Sequence, residues 1–139
     1  MLNTALRFMS ECDSSGLKYR DSRDLDDGNS LVVCGINGKN NARYDIVFIF
    51  DKDGHSVQLR VFGLVSFPGE KADAMLKVAN EMNVRYRWLK FCVNDMKVNI
   101  HGDAIISEEN SGKICVELLV RTANIVDGAY PDFMRALWS

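Results

Sequence analysis

Two histidines and four cysteines are the side chains of this chain best able to do nucleophilic or acid–base chemistry near neutral pH. Cys92 lies in one apolar run, and His101 ends the next, just before Gly102-Asp103. Brought together, Cys92, His101 and Asp103 would supply a nucleophile, its base and a group to orient that base, which is the enzyme or small-ligand reading open to this chain. The surroundings weigh against it. The sequence contains no G-x-S-x-G, H-E-x-x-H, Walker loop or G-x-G-x-x-G, and a cysteine in an apolar strand pattern is usually a core residue. Asp51-Lys52-Asp53-Gly54, just before His55, begins like a calcium loop but lacks the further oxygen ligands and the closing glutamate, so it reads as a hairpin turn. Cys12, Cys34, Cys92 and Cys115 show no C-x-x-C spacing and are expected to be buried free thiols, not zinc ligands. We expect no enzyme, no metal and no cofactor.

A second kind of chemistry is written in Arg85-Tyr86-Arg87-Trp88, with Lys90 and Lys97 following. Cations interleaved with aromatics could bind single-stranded nucleic acid along a strip from Arg85 to Lys97. Read as a strand, however, the segment sends Arg85 and Arg87 to one face and Tyr86, Trp88 and Lys90 to the other. Its best functional version is then a partner-binding surface of Tyr86, Trp88 and Lys90. The formal charge of −2 provides no field to collect nucleic acid or anionic membrane, so neither is expected as a partner. Asn83 is expected to cap a helix, and Asn80 to bond a neighbouring strand or loop.

The elements that would position these residues follow from periodicity. Leu2, Ala5, Leu6, Met9 and Cys12 form one face of a first helix, closed by Ser14-Ser15-Gly16. Residues 17–22 offer a short edge strand. Ser30–Ile36, Tyr44–Phe50 and Ser56–Val65 read as an antiparallel meander turning at Asn37-Gly38 and Asp53-Gly54. The nearly unbroken apolar run of the middle strand predicts cover on both sides. Pro68 opens a helix whose buried stripe is Ala72, Met75, Leu76, Ala79 and Met82. A hairpin of 88–93 and 97–101 follows. The last helix, 112–138, has a narrow polar stripe of Lys113, Glu117, Arg121 and Asn124, and Gly128 and Pro131 are expected to bend or break it. So apolar a helix should bury more than one side, which predicts a dimer through Val116, Val120 and Ile125.

The chain thus reads as a single α+β domain, residues 1–139. An antiparallel sheet of five or six strands would carry helices mainly on one face, in the order α-β-β-β-α-β-β-α. Hydrophobic content of 47% and charged content of 26% suit a folded domain of this size. Met1 to Arg7 contain no basic stretch leading into an apolar run, so a cytoplasmic protein without a leader is expected.

Two asparagines three apart (Asn80, Asn83), a basic-aromatic strand (Tyr86, Arg87, Trp88, Lys90, Phe91) and Asp127 before Tyr130-Pro131 resemble the signature of the YbjN family, bacterial domains similar in fold to type III secretion chaperones. That resemblance implies this same architecture, the label of sensory-transduction regulator, and no catalytic residue. It implies a homodimeric, chaperone-like adaptor whose client adds along a sheet edge or fills an apolar groove.

Overall fold

The computed structural model describes residues 1–139, except for the side chain of Asn41. Helix α1 (Asn3–Ser14) precedes strands β1 (Asp21–Asp24), β2 (Ser30–Asn37), β3 (Arg43–Phe50) and β4 (Ser56–Ser66). Helix α2 (Ala72–Arg85), the hairpin β5 (Lys90–Asn94) and β6 (Lys97–Ile105), and helix α3 (Ser111–Trp138) complete the chain. All pairings are antiparallel, in the order β1-β2-β3-β4-β6-β5. This is the α+β layer read from the sequence, with six strands and the first of them beginning at Asp21.

Alternation divides the sheet into two unlike faces. Tyr44, Ile46, Phe48 and Phe50 of β3 are buried, and Phe8 of α1 lies on them with ring centroids 4.5 Å from Phe48 and 5.8 Å from Phe50. Residues directly opposite one another across a ladder share a face. Val57, Leu59, Val61 and Ile100 therefore belong to the same core, while Leu31, Val47 and Ile49 sit half-buried on the far side. Strand β3 is thus covered by helices on one side only, contrary to the two-sided cover expected of it.

The helices correct several assignments of buried stripes. In α1 the buried set is Thr4, Ala5, Phe8 and Cys12, and Leu6 is exposed. The bulky Phe8 sets the rotation of the helix. In α2 Val78 takes the inward place given to Leu76, which is also exposed. Pro68 introduces a single 3₁₀ turn, Gly69–Lys71, before α2 begins. Helix α3 runs unbroken for 28 residues through Gly128 and Pro131.

It packs against both α1 and α2. Ser111 Oγ donates to the Thr4 carbonyl at 2.9 Å, and Gly112 lies so close to α1 that an added Cβ would stand 2.8 Å from the Arg7 carbonyl oxygen. At the other end Phe133 meets Phe91 of β5 with ring centroids 5.7 Å apart. The second apolar side of α3 is therefore covered from within the chain. Ile125 is buried and Val116 half-buried, leaving Val120, 45% exposed, as the open residue of the expected dimer surface.

Candidate interaction site

The signature asparagines divide their roles. Asn83 does not cap α2. Its side chain reaches β5, where Nδ2 donates to the Phe91 carbonyl at 3.0 Å and Oδ1 accepts from the Phe91 N–H at 2.6 Å. Strand β5 is an edge strand, and Phe91 turns its N–H and C=O outward. The amide of Asn83 pairs them as a neighbouring strand would, which blunts the edge against β-addition. Asn80 is exposed and makes no side-chain hydrogen bond among the described residues. The opposite edge, β1, consists of Asp-Ser-Arg-Asp and carries its own charge.

Asp127, Tyr130 and Pro131 all lie in α3. Asp127 Oδ1 accepts the Lys39 N–H at 3.0 Å and thereby pins the β2–β3 loop. Gly38 passes beneath that carboxylate, where a Cβ would come within 2.7 Å of Oδ1. It is Asn40 in this loop, with φ 61°, that takes the left-handed conformation expected at Asn37-Gly38. Burial, with help from Asp127, pushes the Tyr44 phenol up. Gly128 leaves space for the Tyr86 hydroxyl, and that hydroxyl and Asp132 raise the Arg85 guanidinium, with Asp132 Oδ2 at 3.3 Å from Nη1. This part of the signature fastens α3 to the corners of the fold.

Trp88 is held differently. Arg85 is the last residue of α2, and Arg87 to Leu89 form a loop, so the strand alternation assumed for this segment does not operate. Trp88 has φ 75°, a left-handed backbone rare for a bulky residue and costing about 1–3 kcal/mol. Its side chain is nonetheless 57% exposed. The guanidinium carbons of Arg87 and Arg121 lie 5.8 Å and 5.6 Å from its ring centroid, within cation–π range.

Three adjoining hollows meet here. One of about 320 Å³ is lined by Arg85, Tyr86, Arg87, Trp88, Arg121, Asn124 and Ile125. Another of about 210 Å³ has Trp88, Ile114, Glu117, Leu118 and Arg121. The third, about 460 Å³, continues along α3 past Val116 and Val120 to Glu11 of α1. Together they form an open groove with Trp88 at its head. Its wall is the polar stripe of α3, with Arg121 fixed to Glu117 at 3.0 Å and 2.7 Å. The structure thus joins Tyr86 and Trp88 at the groove and separates Lys90, which lies on the open sheet face beside His101. The stripe and the tryptophan are both visible in the sequence, but their meeting is not.

Cys92, His101 and Asp103 do share that open sheet face. Cys92 is opposite Asn99, so His101 is its diagonal neighbour, at a separation of roughly 7–8 Å typical of such positions. Asp103 is engaged by Arg60 at 3.4 Å. Burial, then the Arg60 and Lys90 cations, lower the His101 pKa. Cys12, Cys34 and Cys115 are buried. Burial pushes Cys115 up to about 12, and a hydrogen bond with Cys12 followed by burial raises Cys34. Among the described residues no group of three His, Cys, Asp or Glu could hold a metal ion, and no helix is long and apolar enough to cross a membrane.

No family model matches the chain, and neither a curated protein nor a solved structure matches it.

Proposed function

We propose that this chain is a non-enzymatic protein-interaction module, a chaperone-like adaptor or regulator in bacterial signalling or stress response, that holds a partner segment in the groove along α3. The observation that carries the binding role is Trp88: an exposed aromatic kept in an unfavourable backbone conformation at the head of a groove. Strain of this kind persists where the surrounding fold imposes it, and it clusters at ligand clamps. Large aromatics flanked by arginine are also the side chains that dominate binding energy at protein interfaces. The regulatory label comes from the resemblance to the YbjN family. With both sheet edges blunted, a groove is favoured over strand addition as the mode of binding.

Replacing Trp88 by glycine tests this, because glycine accepts a positive φ without strain. Relief of strain and loss of partial burial oppose each other at about 1–3 kcal/mol each, so the variant should stay within about 1 kcal/mol of the parent. Protein clients captured from a bacterial lysate in high salt should be lost with W88G. A variant that unfolds easily, or that retains the same clients, would show Trp88 to be a packing residue.

A further inference from the structure

We infer that the groove takes an acidic peptide segment, with a carboxylate on Arg87 beside Trp88 and a neighbouring apolar side chain against Ile114 and Leu118. This rests on the groove being the interaction site. The three guanidiniums that line the hollow beside Trp88 are not equivalent. Arg85 is committed to Asp132 and Arg121 to Glu117. Arg87 makes no ion pair among the described residues. It is set against the indole, 5.8 Å from the ring centroid. A guanidinium lying on an aromatic ring keeps its in-plane N–H fork free, and that fork matches a carboxylate bidentately.

The neighbouring charges define the rest of the partner. Glu11 and Glu117 line the hollows along α3, and Asp132 stands behind Arg85. A polyanion following the groove would be repelled at each of them, and the chain as a whole carries −2. A peptide that offers a carboxylate to Arg87 and aliphatic groups to Ile114, Leu118 and Trp88 meets no such opposition. Nucleic acid, with a charge at every residue, fits this pattern poorly.

Trp88 is itself the reporter. The chain has two tryptophans, and Trp138 is 81% exposed near the end of α3, so Trp138→Phe leaves Trp88 as the single emitter. The probes are a capped nonapeptide with one glutamate among leucines and serines, its glutamine counterpart, its lysine counterpart and oligothymidylate. The glutamate peptide should shift Trp88 emission and bind about three- to tenfold more tightly than the glutamine peptide, with the preference abolished by R87Q. Equal binding of the two would overturn the acidic partner and leave the groove as a docking site. Silence from every peptide would overturn the groove as well. A preference that survives R87Q would remove Arg87 from the assignment, and tighter binding of the lysine peptide or of oligothymidylate would replace the acidic peptide with that class.

Discussion

Substituting Asn83 by alanine removes both bonds to Phe91 while leaving α2 a better helix former at that position. Each bond contributes about 0.5–1.5 kcal/mol net, and the freed backbone groups stand at a partly exposed edge where water can replace the amide. The expected loss is therefore about 1–2 kcal/mol, or roughly 3–8 °C in Tm for a domain of this length. Urea unfolding supplies the free energy, and hydrogen exchange of the Phe91 amide supplies the location. Protection at Phe91 should drop more than at Ile100, which pairs within the sheet core. Asn80→Ala is the matched control, since Asn80 is exposed three residues away on the same helix; it should change stability by less than about 0.5 kcal/mol. An N83A protein as stable as the N80A protein, with Phe91 exchange unchanged, would refute the edge-pairing role.

Gly112→Ala sets a small gain in helix propensity against the α1 backbone. The new Cβ would lie 2.8 Å from the Arg7 carbonyl oxygen and 3.2 Å from Glu11 Cβ, so the helices must separate; a net loss of about 1–2 kcal/mol in urea unfolding is expected, and a stabilised variant would contradict the close α1–α3 approach. His101 gives a pH signature. Its folded pKa lies below the ordinary value of about 6.5, so the unfolded chain binds the extra proton and stability is lost as pH falls from about 6.5 through the folded value, while above 6.5 the two states titrate alike. His101→Gln should remove this component, making Tm less sensitive to acid between pH 7.5 and 5 than in the parent, where Arg60 and Lys90 face the ring and Asp103 only partly offsets them. Parallel Tm curves for the two proteins would rule the effect out.

The architecture was legible because its signals are local and repeated. Period-two burial in β3 and in β4 as far as Val61, and the turn at Asp53-Gly54, where Gly54 has φ 77°, each follow from a few adjacent residues. What escaped depended on partners distant in sequence. The apolar excess of α3 is visible in the sequence, but that α1 and α2 cover much of it, leaving Val120 as the open residue of the expected dimer surface, is not. An asparagine at a helix end predicts a cap, its common use there; the actual partner of Asn83 is the backbone of a strand eight residues on.

Trp88 escaped for a different reason. Aromatic and β-branched neighbours favour extended backbone, and on that rule the tryptophan belonged to the strand. The fold overrules the preference at this one residue. Asn83 fixes Phe91 just after it, Gly102 admits Leu89 so closely that a Cβ there would meet Leu89 Cδ2 at 3.0 Å, and Tyr86 is lodged against Gly128 just before it. With both flanks fixed, the chain has only Arg87 and Trp88 in which to make the turn from α2 into β5. An asparagine or glycine at position 88 would make that turn with less strain. A sequence that places its bulkiest side chain there, outward and between two arginines, breaks a local rule with only partial burial to set against the strain. Such conflicts between local preference and fold are expected where function, and not stability, selects the residue.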